Sequence, residues 1–351
     1  MRKHIMNKRL DFDYFSETDD ENHLTVVLDC YNHAIANGIK SKYGNEVNIY
    51  NILAQDITLY METDREMNID YMSAIRFPNQ YIHPVVYENA TLEMLEKFLD
   101  EDKIVIINTL HHEIKFFKYY NTPYDTTNVP SHPLSIIHHN SENLYYVENL
   151  NLINKANYRY YKDNESVGVI EKSYLKPIFD KYLVCITIDI DFNRLDLFDE
   201  RLFTILKSYV DLSEKEEIIN GISYFYGITA LNKMIESCSA GNDLCKKDID
   251  VFNEDLINGI KYLFRMRIFM RECLMKLVEN KSFIIKDEVM NAFTPSIETW
   301  INLVNILIKK NMKKQPLLDK SLVEYFNNLI NYEKRLLDFI SKLLKYGTAF
   351  F

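Results

Sequence analysis

The spacing of apolar and polar positions changes once along this chain, near residue 192. Before that point, short runs rich in β-branched and aromatic residues read as strands: LTVVL (24–28), KIVIINTL (103–110), PLSIIHH (133–139), LYYVENL (144–150) and YLVCITIDI (182–190). Three stretches between them have helical spacing: the run after Cys30 (YNHAIANGIKSKY), NIYNILAQDITLYM (48–61) and TLEMLEKFLDED (91–102). The polar SENL (141–144) joins two strand patterns, so 133–150 predicts a hairpin.

After residue 192 almost everything follows a period near 3.6. Ser213-Glu214-Lys215-Glu216 reads as a capping box ahead of an apolar face made by Ile218, Ile219, Ile222 and Phe225. Long helices are predicted over 249–279, 286–312 and 318–346, punctuated by Asn280-Lys281, Thr294-Pro295 and Gln315-Pro316. The expected organisation is an α+β domain over residues 1–191 and an all-α domain over residues 192–351, with no internal repeat.

Composition narrows the function classes. The 351 residues exceed a typical single core, and hydrophobic and charged shares of 47% and 26% are those of a globular protein. A net charge of −10 argues against nucleic-acid binding, which needs concentrated Lys and Arg. No apolar run approaches the roughly 18 residues that span a bilayer, and LVNILI (303–308) stops at lysines. MRKHIMNKRLDF has no apolar stretch or cleavage site behind it, so the expected location is the cytoplasm, away from membranes. Cysteines at 30, 185, 238, 245 and 273 form no CxxC pair and no disulfide framework, which fits reduced thiols. Two basic patches, Lys309-Lys310 with Lys313-Lys314 and Arg2-Lys3 with Lys8-Arg9, offer docking points for an acidic partner; the plainer reading is a solvated helix end and terminus.

The chemistry concentrates on three residues. LTVVL ends at Asp29 and a helical pattern begins at Tyr31, which puts Cys30 at a helix N-terminus, where free amides and the dipole favour a thiolate. His132 precedes a strand whose first residue is Pro133, and the proline biases it toward extended geometry. After one hairpin turn, Glu148 ends the next strand and returns to the level of His132. One ring nitrogen can then face the thiol while a carboxylate orients the other, or Asn149 takes that orienting place. Against this stand a buried structural cysteine and a solvated strand-end glutamate. His33, three residues beyond Cys30, is another neighbour for the thiol. His111-His112-Glu113 and His138-His139 predict no metal site, because adjacent strand residues face opposite ways and no HExxH is present. There is no GxGxxG after a strand and no GxxxxGK[ST], hence no sign of a bound dinucleotide or of ATP hydrolysis.

DCYNHAIANGI around Cys30 and PSHPLSIIHHNSENLYYVENL around His132 and Glu148 resemble the papain-like fold of bacteriocin-leader peptidases and, more closely, the butirosin acyltransferase N-terminal type. The amide synthetase of closthioamide biosynthesis is similar in kind. The resemblance covers residues 20–190 and implies a papain-like cysteine-protease fold with Cys30 as nucleophile, His132 as base and Glu148 as the orienting acid. Three positions depart from the family: Glu148 stands where an Asp is usual, Pro133 where a plain apolar residue is usual, and ENHLTVV before Cys30 lacks the usual oxyanion Gln. Either Asn22, His23 or Thr25 replaces that Gln, or the Cys30 backbone N–H and another group hold the oxyanion.

The function this implies is a cysteine-dependent acyltransferase of natural-product assembly. It would take an acyl group from a phosphopantetheine thioester on an acyl or peptidyl carrier protein, hold it on Cys30, and pass it to a small-molecule amine, with no bound cofactor or metal. A cysteine peptidase of the same fold and a non-catalytic binding protein are the alternatives. The apolar faces of the later helices would suit a homodimer.

Overall fold

The computed structural model describes residues 30–44, 49–63, 69–74, 82–110, 114, 131–148, 159–162, 164–182, 184–190, 198–240, 249–280 and 286–347. In chain order, helices α1 (Cys30–Tyr43) and α2 (Ile49–Leu53) lead into strands β1 (Leu59–Thr63), β2 (Ile69–Ala74) and β3 (Ile82–Glu88). Helix α3 (Leu92–Asp100) is followed by strands β4 (Ile104–Leu110), β5 (Ser131–His139), β6 (Asn143–Val147), β7 (Tyr160–Tyr161) and β8 (Asn164–Glu171). Helix α4 (Lys172–Tyr182) and strand β9 (Val184–Ile190) come next, then helix α5 (Phe198–Leu212) and strands β10 (Glu216–Ile219) and β11 (Ile222–Tyr226). Helices α6 (Gly227–Ala240), α7 (Ile249–Asn280), α8 (Lys286–Met312) and α9 (Val323–Gly347) complete the described chain. The protein is α+β with two antiparallel sheets, and it divides into two compact units: Met1–Leu53 with Asn79–Leu195, and Ala54–Pro78 with Asp196–Phe351.

The first unit is built on a seven-stranded sheet in the order β3-β9-β4-β5-β6-β8-β7. Ile104 to Ile107 of β4 are all buried, so both faces of this central strand are covered. On one face Leu95, Phe98 and Leu99 of α3 join Val105, Ile107, Leu134 and Ile136 in a core cluster. On the other, α1 lies so close that a methyl group added at Gly38 would collide with the Ile104 side chain. Thr91 caps α3 by accepting a hydrogen bond from the Met94 amide at 3.2 Å. The β5–β6 hairpin is turned by Asn140, whose side-chain oxygen accepts from the amides of Glu142 (2.9 Å) and Asn143 (2.8 Å). The strand expected over 24–28 lies outside the described residues.

The second unit pairs a four-stranded sheet, in the order β10-β11-β1-β2, with helices α5 to α9. Three expectations are corrected here. First, 48–61 is not one helix: α2 stops at Leu53 and β1 begins at Leu59, because Leu59, Met61 and Thr63 alternate into the core while β1 pairs with β11. Second, Ser213 to Phe225 opens no helix. Asn220 and Gly221, at φ 55° and 80°, make the tight turn of the β10–β11 hairpin, for which Asn-Gly is the favoured pair. Third, the expected all-α domain over 192–351 therefore contains a sheet, and it takes in residues 54–78, which the expected boundary had placed in the first domain.

The first two long helices are as the periodicity predicts; the third, expected from residue 318, begins at Val323 after a short 3-10 turn over Lys320–Leu322 that Asp319 caps. α9 buries Phe326, Leu329, Ile330, Leu336, Ile340 and Leu343, one stripe at helical spacing. α8 continues through Pro295, with buried Val289 and Phe293 before the proline and Ile297, Trp300 and Leu303 after it holding both halves in place. A buried polar cluster ties the unit together. Arg267 of α7 pairs with Glu333 of α9, and also donates to Ser296 of α8 (2.7 Å) and to the Ile57 carbonyl (3.2 Å). The Tyr209 hydroxyl of α5 donates to the other Glu333 oxygen at 2.9 Å. Among the described residues no helix is long and apolar enough to cross a membrane.

Candidate active site

Cys30 is the first residue of α1, and its side chain is exposed. Cys30 therefore stands at the positive end of the dipole of a fourteen-residue helix. Cys185, Cys238 and Cys273 are buried, and burial pushes the Cys185 and Cys238 thiols up to about 12 and the Cys273 thiol well above its ordinary value. Cys245 lies outside the described residues.

His132 sits inside β5 as its second residue, across from Thr109 of β4, rather than ahead of the strand as expected. The strand starts earlier because the ladder with β4 runs on to Ser131. Pro133 is the third residue of β5, before the pairing with β6 begins at Ser135. Glu148 directly follows β6. Val147, the last residue of β6, pairs with Ser135 of β5, so Glu148 continues from β6 at the end of β5 that carries His132, and there the two side chains meet. The Nε2–H of His132 donates to Glu148 Oε2, and each residue is only 2% exposed.

The Cys30 side chain lies close enough to the His132 ring to act on its charge. Burial is the largest influence on the imidazole and opposes its charge. The Glu148 carboxylate and the ring's hydrogen bonds to Cys30 and Glu148 outweigh it, pushing the His132 pKa up to about 10. The structure thus brings together an exposed sulfur, a buried imidazole that is charged at neutral pH, and a buried carboxylate.

Other sequence candidates fall elsewhere. Asn149, Asn22, His23, Thr25 and His111-His112-Glu113 lie outside the described residues. His33 is buried in α1 with its ring 3.3 Å from the Asn37 amide nitrogen. His138 follows a bulge in β5 and its ring lies 5.1 Å from that of Tyr145, while His139 bonds Asp100 at 3.0 Å. Among the described residues no group of three or more His, Cys, Asp or Glu could hold a metal ion. In the basic run near residue 310, Lys310 is engaged by Asp319, which leaves Lys309, Lys313 and Lys314 on the surface. Sequence reasoning missed a tyrosine-lined concavity in the second unit, formed by Tyr60, Tyr71 and Tyr226. The Asn-Gly turn that builds half of it was the available signal.

The sequence matches no known protein-family model, and no curated protein matches it.

Proposed function

We propose that Cys30, His132 and Glu148 form the nucleophilic centre of a cysteine-dependent acyltransferase, an amide synthetase that carries an acyl group from a carrier-protein thioester to a small-molecule amine. The observation that carries this reading is the chain from exposed thiol through buried imidazolium to buried carboxylate. A sulfur at the surface can meet an acyl group delivered on a long phosphopantetheine arm. A buried Glu148 holds the imidazole in one orientation. The placement also supports a papain-like first unit: the nucleophile starts a helix laid on an antiparallel sheet, the base lies in β5, and the acid directly follows the adjacent β6.

In the first half-reaction the Cys30 thiolate attacks the thioester carbonyl. The bond from that carbon to the carrier sulfur breaks, and the departing thiol takes the proton of the His132 imidazolium. Exchange of one thioester for another is nearly isoenergetic, so no nucleotide is consumed. In the second, the amine attacks the acyl-Cys30 carbonyl and gives a proton to His132. The carbon–sulfur bond to Cys30 breaks, the amide leaves, and the thiolate–imidazolium pair is restored. The Cys30 amide at the helix start is one donor for the oxyanion of both tetrahedral intermediates. Lys309, Lys313 and Lys314 are the cations assigned to the acidic carrier, and a cytoplasmic location would keep the thiol reduced.

Intact-mass spectrometry after incubation with acyl-carrier thioesters tests the reading. An acyl adduct should form on the wild type, be absent from Cys30→Ala, and discharge when amines are added. Discharge by water alone would make the protein a hydrolase of the same fold, and absence of any adduct would leave it a binding protein.

A further inference from the structure

The four-stranded sheet of the second unit carries a concavity that the thiol centre does not use. Alternate residues face opposite ways, so Leu59, Met61, Met72 and Phe225 enter the core while Tyr60, Tyr71, Tyr224 and Tyr226 share the other face. Tyr60 is the centre of this face. Its ring is 5.9 Å from Tyr224 in a stacked arrangement, 5.7 Å from Tyr226 and 6.2 Å from Tyr71. Tyr60, Tyr71 and Tyr226, with Leu212, Lys215 and Glu217, line a cavity of about 560 Å³, a size suited to a small organic molecule.

The hydrogen-bonding groups define what would fit. The Tyr60 hydroxyl donates to Glu62 at 2.9 Å and the Tyr226 hydroxyl donates to Glu217 at 2.5 Å. Both phenols have spent their protons on carboxylates, so they offer lone pairs and the negative faces of their rings. Glu217 is held below the usual carboxylate range by hydrogen bonds from Lys215 and Tyr226, and it keeps its charge. The walls accept hydrogen bonds and attract cations.

The chain itself supplies an example of such an occupant. The Lys215 ammonium lies 2.7 Å from Glu217 and 5.8 Å from the centre of the Tyr226 ring. Its side chain is 44% exposed, while its carbonyl is fixed by the Tyr226 amide at 3.0 Å and the Thr229 hydroxyl at 2.8 Å. The head group can therefore swing into solvent without any movement of the backbone.

We propose that this concavity binds a small organic amine, whose primary ammonium replaces the Lys215 head group between Glu217 and the Tyr226 ring while its carbon body lies against Tyr60 and Tyr71. An inorganic cation would make no use of the aromatic walls, and a divalent metal would need more oxygen ligands than Glu217 supplies. An anion would meet carboxylates and ring faces of its own sign. The proposal uses none of the residues around Cys30.

Calorimetric titration of the full chain carrying Cys30→Ala tests it without involving the thiol. The probes are phenethylammonium and n-butylammonium, with 3-phenylpropionate as the anionic control. Both amines should bind and the carboxylate should not. Lys215→Ala should tighten binding by about tenfold by removing the competing head group, and Glu217→Gln should weaken it by about tenfold or more. Tyr71→Ala, at an exposed ring, removes one wall without touching Glu217 or Tyr226, and should lower the affinity for phenethylammonium more than for n-butylammonium. Failure of both amines to bind, binding confined to Lys215→Ala, binding unaffected by Glu217→Gln in a folded protein, or preference for the carboxylate would each overturn the assignment.

Discussion

Glu148 accepts the Nε2 hydrogen of His132 with both side chains buried, and this bond orients the imidazole. The pair has a pH signature. The folded His132 pKa is about 10 against an ordinary 6.5, so the stabilisation from its proton is complete below about pH 6.5 and is lost as pH rises through about 10. Acyl transfer that uses the imidazolium as acid should show an alkaline limb near pH 10. Glu148→Gln removes the charge that raises the pKa and should bring that limb down toward the ordinary imidazole range, with a lower thermal midpoint at pH 7. A pH–rate profile with the same limb in both proteins would separate Glu148 from the titration.

The contrast between Cys30 and the buried cysteines is open to direct measurement. At pH 8 an alkylating reagent should label Cys30 first, while Cys185, Cys238 and Cys273 wait for unfolding. His132→Ala should slow labelling at Cys30 by about tenfold or more, since the charged imidazole that favours the thiolate is gone. Peptide mapping by mass spectrometry reads each site separately. Equal rates at all four, or no effect of His132→Ala, would remove the case for an activated nucleophile.

Glu333 bonds to Arg267, Ser296 and Tyr209 in the interior of the second unit. Glu333→Ala should cost about 3–5 kcal/mol, because it leaves the Arg267 charge buried without its carboxylate. The double variant Arg267→Met with Glu333→Leu removes both charges and should recover most of the loss. Urea denaturation of the three proteins gives the comparison.

Gly259 of α7 lies against the backbone of β2, and an added Cβ would strike the Met72 carbonyl oxygen. A carbonyl held in a sheet cannot turn aside, so Gly259→Ala should destabilise by about 1–3 kcal/mol. At Gly38 the obstacle is the Cγ2 methyl of Ile104, a stiff β-branched side chain but not backbone, and Gly38→Ala should cost less. Thermal midpoints of the two variants decide the order.

The features that could be read from the sequence were those fixed by neighbours along the chain. Thr91 and the apolar spacing after it defined α3; the polar turn at Asn140 defined the β5–β6 hairpin and, through it, the approach of Glu148 to His132. What could not be read depended on distant partners. Leu59 and Met61 fit a helical spacing as well as an alternating one, and pairing with β2 on one side and with β11 on the other selects the strand. Ile218 and Ile219 are exposed at a hairpin tip, so the apolar face assigned to them as a helix does not exist. Asn220-Gly221 was the local signal against that helix, and the capping pattern at Ser213 concealed it.

The excursion of residues 54–78 out of one unit and into the other also constrains the order in which the protein can form during synthesis. β1 and β2 leave the ribosome early, but β11, which pairs with β1, and α7, which covers β2, are made only after the whole of the first unit has been synthesised. The early hairpin must wait with its apolar side uncovered, a condition that invites wrong strand pairing. A chain interrupted near residue 195 would hold every residue of the first unit and two strands with nowhere to dock.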